Sequence, residues 1–199
     1  MPERPEIGVV ILAGGEATRL PGKLEMSAGG VPMLARVYRN VSPGRRTFVS
    51  CNGALSAELD LLLECPKVVD RWPRRGPLGG LLSTLDDVPM PLFVAVAGDL
   101  PFFDAAFIER LASAWQPGDE AVVPVHRARG PEQLEPLAAL YDRAAFIREG
   151  TAVLEERGSL HELLRRLHVR RYPVEGKDTR IFTNINTPED YAAVVAWMG

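Results

Sequence analysis

Ile7-Gly8-Val9-Val10-Ile11-Leu12-Ala13-Gly14-Gly15-Glu16-Ala17-Thr18-Arg19-Leu20-Pro21-Gly22-Lys23 is the stretch on which the fold turns. Its first six residues are apolar apart from Gly8, the pattern of a strand buried on both faces. The strand runs straight into glycine. Gly14 and Gly15 can adopt positive φ and let a ligand come close to the backbone. N–H groups freed at such a turn point toward a bound anion. Arg19 and Lys23 then add two positive charges, one able to fork onto phosphate oxygens and one acting as a compact point charge. A triphosphate concentrates several negative charges in a small volume, and this combination answers it. Two other phosphate loops do not fit. Six residues separate Gly15 from Gly22 and Leu24 follows the lysine, so the GxxxxGK[ST] loop is excluded. The dinucleotide signature GxGxxG is also absent.

Outward from this strand, short apolar runs recur at Thr47–Cys51, Lys67–Val69, Leu92–Ala97 and 121–125. Amphipathic stretches alternate with them, predicting helices over Met33–Val41, 56–63, 78–86 and 105–115. Alternating strands and helices imply a Rossmann-like three-layer α/β domain with a mostly parallel, mixed central sheet. Right-handed crossovers would gather the strand C-termini on one edge, where such sheets bind ligands. The later chain is less regular, with a strand expected over 137–141 and helices over 144–149 and 159–167. Ser159 and Glu162 have capping-box spacing, and Thr187-Pro188 opens a final helix. No long linker divides the chain. The reading is one domain over 1–199, with a nucleotide-binding half over about 6–103 and an acceptor-binding half over about 104–199.

Composition narrows the partners. Of 199 residues, 46% are hydrophobic and 25% charged, and the net charge is −3. With no basic block, neither nucleic acid nor an anionic membrane is an expected partner. No run approaches a membrane span, and the N-terminal residues lack the apolar core of a signal peptide. A cytoplasmic protein is therefore expected, as a monomer or weak homo-oligomer. Cys51 and Cys65 form no CxxC and read as buried thiols. His126, His161 and His168 are scattered and form no triad pattern.

The second informative stretch is Leu92-Phe93-Val94-Ala95-Val96-Ala97, the most apolar strand, running into Gly98-Asp99-Leu100-Pro101. A carboxylate at the end of a central strand projects toward the ligand edge. Mg²⁺ is commonly held by one or two carboxylates plus phosphates and water, so Asp99 is the candidate metal ligand. Asp104 precedes a helix and reads as its N-cap. Arg165-Arg166 with Arg170-Arg171 reads as a solvated basic face. Arg74 and Arg75 border the Gly76-Pro77 segment and are open to a solvated or an anion-contacting role.

Leu12-Ala13-Gly14-Gly15 followed by Arg19 and Lys23 resembles the signature of the GT-A-like nucleotidyltransferases, of the nucleotide-diphospho-sugar transferase fold. These include the molybdenum cofactor guanylyltransferases and the sugar-phosphate nucleotidyltransferases. Further segments are similar to the guanylyltransferases: Asp70 before Gly76-Pro77-Leu78-Gly79-Gly80-Leu81, then Glu135-Pro136-Leu137-Ala138-Ala139-Leu140-Tyr141, then Asn184-Ile185-Asn186-Thr187-Pro188-Glu189. They occur in order along nearly the whole chain. Two departures stand out. Gly98 replaces the cysteine of that family's Cys-Asp-x-Pro turn, and only Leu20-Pro21-Gly22 separates Arg19 from Lys23, a spacing closer to the sugar-nucleotide relatives.

The resemblance implies Mg²⁺-dependent transfer of GMP from GTP to Mo-molybdopterin, with release of pyrophosphate. Nucleotidyl transfer from CTP, GTP or UTP to another phosphorylated metabolite is the alternative, and a non-catalytic nucleotide-binding module is a third reading. Arg19, Lys23 and Asp99 are the candidate catalytic residues. Leu12, Ala13, Gly14, Gly15, Lys23, Asn52, Asp70, Gly76, Pro77, Leu78, Gly79 and Asp99 are the candidate nucleotide contacts. Asn184 and Asn186 are the candidate acceptor contacts.

Overall fold

The structure, a computed structural model, describes residues 5–14, 20–127 and 131–198. Four strands carry the apolar runs: β1 (Ile7–Leu12), β2 (Thr47–Cys51), β3 (Lys67–Val69) and β4 (Leu92–Ala97). They pair in parallel in the order β3-β2-β1-β4. Side chains alternate across the sheet, so each inner strand feeds two cores. Val9, Ile11, Val94 and Val96 point into one layer, and Val10, Leu12, Phe93 and Ala95 into the other. Val9, Val10 and Ile11 are fully buried. That is why β1 reads as an unbroken apolar run; burying each such side chain is worth about 1.5–3 kcal/mol.

Helices α1 (Met33–Val41), α2 (Ala57–Leu62), α3 (Gly76–Leu85) and α4 (Ala105–Ala114) connect these strands or follow them. The start of α3 differs from the expectation of a helix from residue 78. Pro77 sits in its first turn, where the missing N–H costs nothing, so the Gly-Pro segment is helical rather than a preceding loop. Asp104 caps α4, its carboxylate accepting from the Phe107 N–H at 2.8 Å.

The second half extends the same sheet. Strands β5 (Ala121–His126), β6 (Gln133–Leu134), β7 (Ala138–Asp142) and β8 (Val169–Pro173) bring the sheet to eight strands among the described residues. β7 lies antiparallel between β4 and β5, and β8 runs parallel to β5. Helix α5 (Arg143–Glu155) is longer than the expected 144–149 segment, and α6 (Leu160–Arg166) follows it. The Ser159–Glu162 capping box opens α6. Arg170 and Arg171 are not a free basic face. They lie on β8, where Arg170 forks onto Asp119 at 2.6 and 3.1 Å and Arg171 pairs with Glu132 at 2.8 Å. Edge position hid β8: its pattern mixes exposed and half-buried residues, so it carries no apolar run. A 3₁₀ segment (Gly176–Phe182) leads to α7 (Pro188–Met198). Cys51 is buried, Cys65 half-buried, and both are free thiols. Burial pushes the Cys65 thiol up to about 11. No helix among the described residues is long and apolar enough to cross a membrane.

Candidate active site

β1 has β2 on one side and β4 on the other, so the chain leaves it at a point where strand order reverses. Leu12 pairs with Ser50 and with Ala97, the last positions of those ladders on β1. Just beyond, three segments converge. Gly14 continues from β1, Asn52 follows β2, and Gly98-Asp99 follows β4. A pocket of about 580 Å³ opens there. Its lining includes Leu12, Gly14, Lys23, Asn52, Asp70, Gly76, Pro77 and Asp99 from the sequence-derived candidates.

Local backbone chemistry sets each group in place. Gly98 donates to the Leu12 carbonyl at 2.9 Å, which fastens the Asp99 turn to the end of β1. Asn40 of α1 donates to the Pro101 carbonyl at 2.9 Å and holds the far side of that turn. Lys23 follows Gly22, whose φ of 70° is the left-handed conformation that glycine takes without strain. The Lys23 ammonium pairs with the Asp99 carboxylate and donates to Asn186 Oδ1 at 2.9 Å. Both charged side chains are largely shielded, at 17% and 14% exposure, so water screens the pair only partly. Asn186 is itself fixed by the start of α7. Its N–H and that of Thr187 donate to Asp190 Oδ2 at 3.0 and 2.9 Å, and the Asp190 N–H donates back to Thr187 Oγ1 at 3.1 Å. The Asn186 N–H, with Thr187 and Lys23 assisting, holds the Asp190 carboxyl below its ordinary range.

The remaining candidates are placed variously. Asp70 serves its own turn, Oδ1 accepting from the Trp72 N–H at 2.8 Å and the Ser83 hydroxyl at 3.0 Å, while the residue also lines the pocket. Ala13 is tied to β2, donating to the Ser50 carbonyl at 2.7 Å. Leu78 is packed in the core rather than on the pocket wall, at 1% exposure. Gly79 turns toward Trp72 and Arg75, and it is Gly80 that lines the pocket. Asn184 is exposed on the approach to α7. Gly15 and Arg19 lie outside the described residues. Sequence reading missed Ser50, Leu24 and Leu137 on the lining. A polar residue closing the apolar run of β2 was the available signal for Ser50; the two leucines had none.

The MobA-like NTP transferase domain model matches residues 9–171. The chain belongs to the MobA-like NTP transferases. It is 31% identical to a probable molybdenum cofactor guanylyltransferase of Natronomonas pharaonis, over 91% of this chain and 93% of that one. The crystal structure of molybdopterin-guanine dinucleotide biosynthesis protein A from Archaeoglobus fulgidus superposes with a TM-score of 0.80 at 28% identity, covering 96% and 97% of the two chains. At 15% identity, the 4-diphosphocytidyl-2C-methyl-D-erythritolsynthase of Anaerococcus prevotii shares the fold with a TM-score of 0.79, over 98% and 99% of the chains. The transferase is thus a nucleotidyltransferase enzyme of the nucleotide-diphospho-sugar transferase fold, with its mixed, mostly parallel sheet.

Proposed function

We propose that this enzyme transfers GMP from GTP to Mo-molybdopterin and releases pyrophosphate. The observation that carries the reading is the meeting of Lys23 and Asp99, which line the pocket, with Asn186, in a chain of this family. A phosphate oxygen of the acceptor attacks the α-phosphorus of the nucleotide, and the bond to the β-phosphate oxygen breaks. The acceptor phosphate is already ionised at neutral pH, so no general base is needed. Positioning and charge neutralisation then supply the rate enhancement.

The donor set suits Mg²⁺. No group of three or more His, Cys, Asp or Glu stands together among the described residues. Asp99 would therefore hold the ion with nucleotide phosphates and water completing the shell, the usual arrangement for Mg²⁺. When bound, the ion supplies charge neutralisation of the phosphates and of the leaving pyrophosphate. Lys23 turns its ammonium to the phosphate chain, and Arg19 supports it. Gly14 allows the nucleotide to lie against the backbone, with Asn52 beside it. A Cβ on Gly14 would stand 2.6 Å from Asn52 Oδ1. Ala13 continues the phosphate cradle. Asp70, Gly76, Pro77 and the first turn of α3 border the base and ribose. Asn186 and Asn184 face the acceptor from the second half of the chain.

The test is a pyrophosphate-release screen of the four ribonucleoside triphosphates with Mg²⁺, with and without molybdopterin. GTP with molybdopterin is expected to give a guanine-dinucleotide product visible by mass spectrometry. A site built around particular hydrogen-bonding groups leaves them unpaired with the wrong base, so GTP should lead clearly. Equal use of all four nucleotides, or GMP transfer only to a sugar phosphate, overturns the substrate assignment.

A further inference from the structure

One group of arginines lies at the edge of the nucleotide pocket and beyond it. The turn before α3 carries Arg74 and Arg75, and the turn after α5 carries Arg157. With Pro73 and Gly158 they line a second pocket of about 500 Å³. No carboxylate contributes to that lining. The pocket adjoins the nucleotide pocket, sharing Pro73 and Arg74 with it.

Several other arginines are matched to carboxylates, whereas Arg39, Arg46 and Arg165 stand singly, without an ion pair, among the described residues. Arg71 pairs with Asp86, Arg148 with Glu120, Arg110 with Asp178 and Arg166 with Glu156. Among the described residues, Arg74, Arg75 and Arg157 make no ion pair, side-chain hydrogen bond or ring contact. Three guanidinium groups around one pocket make its field positive, which favours an anion there. Arg74 has φ 65° and Arg157 has φ 60°, and they are the two non-glycine residues with positive φ among the described residues. At Arg157 this is the ordinary left-handed end of α5, its N–H donating to the Leu154 carbonyl and that of Gly158 to the Val153 carbonyl, and both turns fall on this pocket.

We propose that Arg74, Arg75 and Arg157 form a binding site for a phosphate dianion beside the nucleotide pocket. Guanidinium forks suit phosphate oxygens, and three of them match a doubly charged group. The bound group bridges the turn before α3 to the turn after α5. Because Arg74 lines both pockets, occupancy of one changes the other's affinity, and the effect is reciprocal. The proposal does not depend on which nucleotide or acceptor the transferase uses.

Calorimetric titration of the full chain tests it, at mildly alkaline pH and with ionic strength held constant by chloride. The probes are inorganic phosphate and a small phosphomonoester, glycerol phosphate. Arg157→Asn removes the charge with a residue that tolerates positive φ, so folding is retained. The wild type should bind phosphate, and Arg157→Asn should weaken binding by about tenfold, the loss of one charge-assisted hydrogen bond. Arg157→Lys should recover part of that loss. Lys23→Ala, which alters the nucleotide site, should keep the phosphate binding that depends on Arg157. Binding of both probes indicates a phosphate group on a larger molecule, and binding of inorganic phosphate alone indicates the free ion. No phosphate binding by the wild type, or equal affinity in Arg157→Asn, overturns the proposal. Failure of GTP to bind would instead overturn the substrate assignment and leave the anion site standing.

Discussion

Asp99 and Gly98 show how much rests on single residues here. Asp99 lies in the turn that follows the buried central strand β4 and meets Lys23 across the chain. Asp99→Asn keeps the shape and the Asn40 anchor of the turn but removes the charge. Its Mg²⁺-dependent rate should fall by about 10² or more with an unchanged circular dichroism spectrum. An undiminished rate would reject Asp99 as the metal ligand. Gly98 has a different task. A Cβ there would stand 2.9 Å from the Leu12 carbonyl oxygen and 3.0 Å from Leu34 Cδ1. The glycine at this position, where the guanylyltransferases it resembles carry cysteine, lets β4 end hard against β1. Gly98→Ala must push Asp99 outward. It should lower stability by about 1–3 kcal/mol in denaturant titration and slow the enzyme as well. Unaltered stability would show that the strand end can give way.

At the scale of elements, the start of α7 is a capped helix and also a support for the site. Thr187 and Asp190 exchange capping hydrogen bonds, and the same carboxylate takes the N–H of Asn186, whose side chain meets Lys23. Asp190→Ala should cost about 1 kcal/mol of stability, as a lost cap does. Turnover should fall by about tenfold, because small misplacements in a site are expensive. Asp142→Ala is the control. Asp142 caps α5, accepting from the Ala145 N–H at 2.7 Å, and pairs with Leu92 at the opposite end of β4 from Asp99. It should lose similar stability with no change in rate. Thermal melts and steady-state kinetics on both variants separate the two effects. Equal rate losses would mean that α7 acts through stability alone.

Across the whole molecule, native contacts favour the ionised form of several carboxylates. The His168 N–H and Arg148 hold Glu120 below the ordinary range, and the Asn186 N–H does the same for Asp190. A carboxyl whose folded pKa lies below its unfolded value adds stability above the unfolded value. That stability is lost as pH falls through the folded value. The denaturation midpoint should therefore hold steady from neutral pH to about pH 5 and drop below about pH 4. Asp190→Asn should flatten part of that drop. A midpoint constant down to about pH 3 would contradict these hydrogen bonds.

What the sequence determined by itself lies where burial is two-sided or the turn chemistry is fixed. β1 and β4 were legible because residues facing both layers must all be apolar, leaving runs such as Val9-Val10-Ile11 and Val94-Ala95-Val96. The caps at Asp104, Ser159 and Thr187 were legible because the N–H groups they satisfy lie within three residues. β8 was not, since a strand with one partner and an exposed side needs no apolar run. The order β3-β2-β1-β4-β7-β5-β6 could be narrowed but not read, because register and neighbour are set by packing between distant segments. The same holds within the site. Lys23, Asp99 and Asn186 could each be named from local pattern, yet 76 residues separate the first two and 163 separate Lys23 from Asn186. Only the closing of the sheet brings those three side chains together, and only there does an ordinary surface turn such as Pro73-Arg74-Arg75 meet Arg157 across a shared pocket.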